Sequence, residues 1–207
     1  MKYAVDLDGP CYEFARTVRY MLNHYRGKNL PDFEEFWTQW YPPEISAEDW
    51  SWVFSRGIDL GVFRYGHMTK DTRVGLQHLV AMGNEIIIIT NRPKRAHRDT
   101  REWVEFFYKG IPHELHIVDN DTPKSTIEAD VLIDDRPENV FDWAGAGRTA
   151  LFWLAPWNSG TVIPPLVGST YVVKGWKEVV AWDTKFGTST QSESLRAASE
   201  EATTLAR

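Results

Sequence analysis

The chain has 207 residues, 43% of them hydrophobic, and carries a net charge of −6. This length and composition predict one globular domain, or a domain with an insertion, that buries a core of ordinary size. The acidic balance argues against a non-specific grip on duplex nucleic acid, which needs a basic surface, but it is compatible with a small anionic substrate held through a metal ion. The single cysteine, Cys11, excludes an internal disulfide and favours a reducing compartment.

Apolar periodicity predicts strands that alternate with helices along most of the chain. The run Glu-Ile-Ile-Ile-Ile-Thr at 85–90 is typical of a strand buried on both faces of a parallel sheet. The predicted elements in chain order are a strand at 2–7, helices at 12–25, 32–40, 47–56 and 69–82, a strand at 85–90, a helix at 95–108, a strand at 116–118, a turn or short helix at 124–128, and strands at 131–134 and 150–154. This order predicts an α/β, Rossmann-like fold, with a parallel sheet flanked by helices on both faces.

The composition changes in two segments. Residues 27–65 are rich in aromatic residues, prolines and glycines, and we predict that they form a small helical cap inserted after the first strand, with Ser46 capping one helix. Residues 187–207 are polar and contain no aromatic residue, which predicts a flexible tail. The remaining residues, 1–26 and 66–186, are predicted to form the core domain.

Polar side chains follow the predicted strands at their carboxyl ends. Asp6 and Asp8, in the sequence Asp-Leu-Asp-Gly, end the first strand. On its own this motif is as typical of an ordinary turn or a calcium loop as of a catalytic site. In a doubly wound sheet, however, ligands bind outside the carboxyl ends of the strands, so polar residues at other strand ends belong to the same region. These residues are Thr90 and Asn91, Asp134 and Asp135, and Lys124 in the connection before them.

This set of side chains suits phosphoryl transfer. Mg²⁺ prefers an octahedral shell of carboxylates, a carbonyl, waters and a substrate phosphate. One carboxylate can attack phosphorus to form an aspartyl-phosphate, while a second protonates the leaving alkoxide and later activates water. A lysine and a threonine can hold the equatorial oxygens of the phosphoryl group as its charge shifts.

The order of these motifs resembles the haloacid dehalogenase superfamily of aspartyl-phosphate hydrolases, and is closer to its 5′(3′)-deoxyribonucleotidases. The resemblance runs from the first strand to about Trp182, and its most specific part is the stretch at 129–137. The matching motifs are Asp-Leu-Asp-Gly at 6–9 with Phe14 downstream, Phe36-Trp37, Ile-Ile-Thr-Asn-Arg-Pro-Lys at 88–94, Trp-Val-Glu at 103–105, Lys124, Ala-Asp-Val-Leu-Ile-Asp-Asp-Arg-Pro at 129–137, and Gly-Trp-Lys-Glu at 175–178.

The resemblance implies a role for each motif residue. Asp6 is the nucleophile and a metal ligand, and Asp8 is the acid and base that also lends its backbone carbonyl to Mg²⁺. Lys124 and Thr90 hold the phosphate. Asp135 aligns with the metal-binding aspartate of the superfamily, so we favour it as the direct ligand and place Asp134 behind it in the metal site.

The resemblance also implies an aromatic base pocket. Phe14, Phe36 and Trp37 correspond to the residues that stack on the nucleobase. Phe14 lies on the apolar face of a predicted helix, so core packing and base stacking fit it equally well. Phe36 and Trp37 also fit a role in packing the cap against the core, although we favour stacking.

Three residues depart from the family pattern, namely Pro10, Asn91 and Thr38. Pro10 leaves both aspartates of the first motif in place. Asn91 replaces a small hydroxyl residue, but its amide can still donate to a phosphate oxygen, so we keep it among the predicted substrate-binding residues. Thr38 adds a hydroxyl to the predicted base pocket and puts the base preference in doubt. Arg136, which is not one of these departures, fits either substrate recognition or pairing with a nearby acid.

We therefore expect a magnesium-dependent phosphomonoester hydrolase that acts on deoxyribonucleoside monophosphates through an aspartyl-phosphate. Three alternatives stay open: a phosphatase for another small phosphorylated metabolite, a phosphatase for nucleic acid 3′-phosphate ends, and a non-catalytic nucleotide-binding module. We expect a cytoplasmic protein with a nucleotide as its small-molecule partner and without a stable nucleic-acid complex. No apolar run approaches the ~20 residues that a membrane span requires. A homodimer is a guess that rests on the family alone.

Overall fold

The computed structural model describes residues 1–31, 42–119, 121–166 and 168–187. Its centre is a six-stranded sheet in which every pair of neighbouring strands is parallel. The order of the strands across the sheet is β3-β2-β1-β4-β5-β6, so the chain moves outward from β1 in two directions. The strands are β1 (Lys2–Asp6), β2 (Glu85–Thr90), β3 (Glu114–Ile117), β4 (Val131–Asp134), β5 (Thr149–Trp153) and β6 (Thr170–Val173).

Helices connect and flank these strands. They are α1 (Phe14–Arg26), α2 (Ala47–Trp52), α3 (Thr72–Ala81), α4 (His97–Phe107), α5 (Pro137–Gly145) and a final helix, α6, over 176–187. The chain continues from α2 into a π-helical turn at Val53–Gly57. Of the helices in the described ranges, none combines the length and the hydropathy that a membrane span requires.

The two faces of the sheet bury separate hydrophobic clusters because side chains alternate along each strand. Tyr3 and Val5 of β1 point to the face covered by α3, α4 and α6, where Trp103 and Trp176 are buried. Ala4 points to the opposite face, which α5 covers. The predicted Rossmann-like sheet with helices on both faces is therefore confirmed.

A third cluster lies apart from the sheet. The apolar face of α1, including Val18 and Leu22, packs against the segment 42–65 through residues such as Val53 and Phe63. We propose that α1 belongs to the cap rather than to the core domain, so that the cap begins before residue 27. The predicted division of the chain at 26/27 and 65/66 otherwise stays a prediction.

The buried carboxylate of Asp49 ties the end of α1 to α2. It accepts from Lys28 at 2.7 Å and from the hydroxyl of Ser46 at 2.7 Å. Although burial alone would raise the pKa of Asp49, these contacts lower it to about 2. Ser46 also accepts from the backbone N–H of Asp49, which completes a capping box at the predicted helix start.

Several predicted boundaries shift by a few residues. α1 begins at Phe14 rather than at residue 12, because Tyr12 pairs through its backbone with Asp8 and Met68. β3 begins two residues earlier than predicted, at Glu114. α5, β6 and α6 were not among the predicted elements; each of the first two is short, at nine and four residues. The predicted helix at 32–40 and almost all of the predicted tail lie outside the described residues.

The packing of α6 on α3 generates a testable prediction. A Cβ atom added at Gly75 would lie 2.2 Å from Cε3 of Trp176, a buried ring that cannot easily move. We therefore expect Gly75→Ala to lower the free energy of unfolding by about 1–3 kcal/mol, measured by urea denaturation.

Gly145→Ala is the matched control, because no atom lies within 4 Å of a Cβ atom added there. Since alanine favours helix over glycine, this variant should be neutral or stabilised by up to about 1 kcal/mol. Equal stability of the Gly75→Ala and wild-type proteins would contradict the packing of α6 on α3.

Candidate active site

The polar residues of three neighbouring strands meet at the carboxyl edge of the sheet. β1 pairs with β4 so that Val5 lies opposite Ile133, which carries Asp6 and Asp134 to the same level. On its other side β1 pairs with β2, with Asp6 opposite Ile89, and Thr90 follows one residue later. The structure thus brings together the strand-end residues that the sequence singles out.

Lys124 lies between two of these carboxylates. Its ammonium donates to Oδ1 of Asp6 at 2.5 Å and to Oδ2 of Asp134 at 2.8 Å, and the residue is only 2% exposed. Burial would lower the pKa of this ammonium, but the charges of Asp134 and Asp6 outweigh that effect and raise it. Lys124 is therefore a permanently charged cation beside the predicted nucleophile.

The two adjacent aspartates after β4 have different surroundings. Asp134 accepts three hydrogen bonds besides any ligand: from Lys124, from the backbone N–H of Arg136 at 2.8 Å, and from the amide of Asn139 at 2.9 Å. Asp135 accepts at Oδ2 from the indole N–H of Trp157 at 2.9 Å. Among the described residues, its Oδ1 atom has no hydrogen-bond donor, which leaves that oxygen available to a ligand.

The carboxylates of Asp6, Asp134 and Asp135 are buried and offer oxygens within 4.8 Å of one another. Burial raises the pKa of Asp6 to about 7, with Lys124 opposing the rise and the carboxylates of Asp134 and Asp8 adding to it. Burial and the charge of Asp6 also raise the pKa of Asp135 well above its usual value. Crowded carboxylate oxygens of this kind suit a hard divalent cation such as Mg²⁺, which would relieve the repulsion.

Gly9 allows the first motif to approach Asp135. Its φ is +97°, and a Cβ atom there would lie 2.4 Å from Oδ2 of Asp135. Any side chain at this position would therefore displace the carboxylate that remains open to a ligand. Gly9 therefore belongs to the candidate metal site together with the three aspartates.

The carboxylate of Asp8 is held by an arginine rather than by Lys124. Arg92 donates from Nε to Oδ2 of Asp8 at 3.0 Å and from Nη2 to Oδ1 at 2.5 Å. Although Arg92 belongs to the motif at 88–94, sequence reasoning gave it no role. Its partner is 84 residues away in the chain, so only the fold reveals the pair.

A cavity of about 400 Å³ opens above the acidic residues. Its apolar wall is a stack of phenylalanines, with ring centroids of Phe14 and Phe63 5.4 Å apart and those of Phe14 and Phe54 6.2 Å apart. We call the space beside these three rings the aromatic slot. The described residues that line the cavity are Asp6, Asp8, Gly9, Phe14, Ala15, Phe54, Phe63, Thr90, Asn91, Pro93, Lys124, Asp135, Arg136, Glu138 and Trp157.

The predicted substrate-binding residues fall in two groups, those that line the cavity and those that lie outside the described residues. Phe14, Thr90, Asn91 and Arg136 line the cavity, although the amide of Asn91 also donates to the carbonyl of Asp119 at 3.0 Å. Phe36, Trp37 and the departing residue Thr38 lie outside the described residues. Sequence reasoning missed Phe54, Phe63 and Trp157, because aromatic residues in a cap or loop are as typical of packing as of binding.

The fold is similar to that of several solved structures. L-2-haloacid dehalogenase from Xanthobacter autotrophicus, with chloropropionic acid covalently bound, aligns with a TM-score of 0.55 at 12% identity, covering 89% of this chain and 98% of that one. A hydrolase from Pseudomonas syringae aligns with a TM-score of 0.56 at 12% identity, covering 90% and 99%. CbbY from Rhodobacter sphaeroides, in complex with phosphate, aligns with a TM-score of 0.52 at 13% identity, covering 86% and 95%. At these identities the likeness shows the fold alone.

The fold is that of L-2-haloacid dehalogenase, with acidic side chains at the carboxyl ends of β1 and β4. The model of one family, described as 5′ nucleotidase, deoxy (pyrimidine), cytosolic type C protein, matches residues 1–180. The chain therefore belongs to this family of 5′-nucleotidases, which are phosphoric monoester hydrolases, and the predicted resemblance and enzyme class are confirmed. A search of curated proteins gives no significant match.

Because these carboxylates are crowded, we predict that ionisation of Asp6 has a pH-dependent cost in folding free energy when no metal is bound. Asp6 has a pKa of about 7 in the folded protein against about 3.9 in an unfolded chain, so its ionisation destabilises the fold increasingly from about pH 4 to about pH 7. Asp6→Asn removes that cost. We expect the metal-free variant to melt several degrees above the wild type near pH 8, with a smaller difference near pH 5, since about 1 kcal/mol shifts Tm by about 2–4 °C at this size.

Differential scanning fluorimetry in EDTA measures both melting temperatures. Added MgCl₂ provides the control, because it should raise the Tm of the wild type more than that of Asp6→Asn. A variant that melts at or below the wild-type temperature at both pH values would show that the acidic site is not under electrostatic stress.

Proposed function

We propose that the protein is a magnesium-dependent nucleotidase that removes phosphate from deoxyribonucleoside monophosphates through an aspartyl-phosphate on Asp6. The observation that carries this proposal is the contact of Asp6 with Lys124 at the floor of a cavity whose opposite wall is aromatic. The family assignment supports nucleotide hydrolysis and weighs against a non-catalytic module.

The residues divide the chemistry between them. Oδ2 of Asp6, the oxygen that does not accept from Lys124, attacks phosphorus while the bond to the ester oxygen breaks. Asp8 gives a proton to the departing nucleoside oxygen, then takes one from the water that attacks the aspartyl-phosphate and frees Asp6 and inorganic phosphate. Lys124 and Thr90 hold the phosphoryl oxygens through both halves.

Asp6, the backbone carbonyl of Asp8 and Asp135 would hold Mg²⁺ in this proposal. The ion supplies charge neutralisation for the phosphoryl group when it is bound. Asp134, whose oxygens accept from Lys124, Arg136 and Asn139, orients its neighbours rather than binding the metal directly.

The aromatic slot supports a planar, apolar group on the substrate. Stacked rings bind the π-face of a base without reading its edge, so the slot favours nucleotides over small aliphatic phosphates. The net charge of −6 supports a mononucleotide over a nucleic acid end, since a long polyanion would be repelled. We further propose that the enzyme works in the cytoplasm, which the family's description as cytosolic type supports.

Replacing the nucleophile tests the mechanism. Asp6→Asn keeps the shape of the side chain and an acceptor for Lys124 but cannot form the aspartyl-phosphate. We expect hydrolysis of deoxyribonucleoside monophosphates and of p-nitrophenyl phosphate to fall below detection, while circular dichroism stays unchanged. Retention of most of the activity in the folded variant would remove Asp6 from the nucleophile's role.

Opening the aromatic slot tests the substrate class. Phe54 is 43% exposed, so Phe54→Ala removes a wall of the slot with little effect on the core. We expect KM for a deoxyribonucleoside monophosphate to rise about 5- to 150-fold, in line with about 1–3 kcal/mol per stacked base, with a smaller effect on kcat.

Phe106→Ala is the matched control for this measurement, because Phe106 is 74% exposed on α4 and does not line the cavity. Its kinetic constants should equal those of the wild type. An unchanged KM in Phe54→Ala would exclude base stacking at this position.

A further inference from the structure

Arg92 is a buried cation that the proposed chemistry does not use. It is the second residue after β2, between Asn91 and Pro93, and is only 3% exposed. It does not line the cavity, whereas its partner Asp8 does. A substrate in the cavity therefore meets the carboxylate of Asp8 and not the guanidinium behind it.

The guanidinium fixes the plane of the Asp8 carboxylate. Nε and Nη2 of Arg92 each donate to a different oxygen of Asp8, which is the two-point geometry that an arginine fork imposes and a lysine cannot. A carboxylate has about four lone-pair sites, so each oxygen of Asp8 keeps one site through which it can give or take a proton. The side chain of Asp8 is 28% exposed and that of Arg92 only 1%, so the free side of the carboxylate faces the cavity.

Arg92 is itself held from both sides. Its guanidinium carbon lies 4.6 Å from the ring centroid of Tyr12 and 4.7 Å from that of Phe63, so the planar group is placed between an aromatic ring of the core and one of the cap. Nη1 donates to the hydroxyl of Thr100 at 3.3 Å, and that hydroxyl donates onward to the carbonyl of Ala96. These contacts leave the guanidinium a single orientation.

We propose that Arg92 is a positioning residue for Asp8, which it holds in the orientation that proton transfer to the leaving oxygen requires. The proposal rests on the proposed function, in which Asp8 is the acid and base. Asp8 lines the same cavity as Asp6, so the ion pair holds a group that a substrate in the cavity would meet. The interaction acts on the proton-transfer steps and leaves the attack by Asp6 untouched.

The leaving group separates these two effects. A nucleoside alkoxide departs from phosphorus only with a proton from Asp8, whereas p-nitrophenolate is a stable anion that departs without one. Loss of the orientation of Asp8 should therefore slow release of the nucleoside and spare release of p-nitrophenolate in the first turnover. Hydrolysis of the aspartyl-phosphate, which needs Asp8 as a base, should slow with both substrates.

Single-turnover kinetics of Arg92→Met and Arg92→Lys, with saturating MgCl₂, test this proposal. For Arg92→Met we expect nucleoside release from a deoxyribonucleoside monophosphate to slow about 10- to 100-fold, part of the 10²–10⁴-fold that acid–base catalysis supplies. Release of p-nitrophenolate should slow less than about threefold and should show a burst that exceeds that of the wild type. Arg92→Lys, which keeps the charge without the fork, should recover part of the loss.

Two further variants assign the outcomes. Arg95→Gln is the matched control, because Arg95 in the same loop also bridges core and cap, through an exposed contact with Asp59 at 2.7 Å, but does not touch Asp8. It should behave as the wild type with both substrates. Asp8→Asn, measured in parallel, tests the acid–base role itself: undiminished nucleoside release there would overturn the proposed function.

If nucleoside release is lost in Asp8→Asn but not in Arg92→Met, the role of Arg92 is overturned and the proposed function is retained. If Arg92→Met slows release of the nucleoside and of p-nitrophenolate equally and also lowers Tm, the positioning role is overturned too. The ion pair of Arg92 and Asp8 then serves the stability of the fold. If Arg92→Met does not fold, the same two-substrate comparison in Arg92→Lys decides between these outcomes, because the lysine variant keeps the buried charge.

Discussion

The site depends on one buried contact, that of the Lys124 ammonium with the carboxylates of Asp6 and Asp134. The three groups come from neighbouring parts of the sheet edge, and none of them could be buried alone, because an unpaired charge in the interior is strongly unfavourable. Removing the ammonium would leave both carboxylates uncompensated. The contact therefore fixes the carboxyl ends of β1 and β4 relative to each other, and with them the floor of the cavity.

A second buried cation gives the two aspartates of the first motif different surroundings. Asp6 faces Lys124, whereas Asp8 faces Arg92, which is packed between Tyr12 and Phe63. Because Phe63 also stacks on Phe14, the ring that holds the guanidinium is part of the aromatic slot. The proposed nucleophile, the proposed proton donor and the aromatic slot are thus held by adjacent contacts at the carboxyl edge of the sheet.

The sequence predicts the sheet centre well, because strands buried on both faces are continuous apolar runs and β2 and β4 occur with the predicted bounds. It also predicts which strand ends carry polar residues. It cannot predict the partners of those residues: Asp8 and Arg92, or Asp135 and Trp157, meet only through the fold. Phe54 and Phe63 have no distinguishing pattern, since an aromatic residue that lines a cavity looks like one that fills a core. The edge strand β6 is too short for a periodic signal.

The proposed mechanism requires that Asp6 becomes phosphorylated during turnover. The most direct test is an acid quench of the wild-type enzyme during steady-state hydrolysis of a deoxyribonucleoside monophosphate, followed by peptide mapping by mass spectrometry. We predict the added mass of one phosphoryl group on the peptide that contains Asp6, reducible by borohydride at that residue. Asp8→Asn should carry more of it when quenched during hydrolysis of p-nitrophenyl phosphate, because this leaving group needs no proton from Asp8 whereas hydrolysis of the intermediate does need Asp8 as a base. If the active wild-type enzyme carries no phosphoryl group, or carries it on a residue other than Asp6, Asp6 is not the nucleophile.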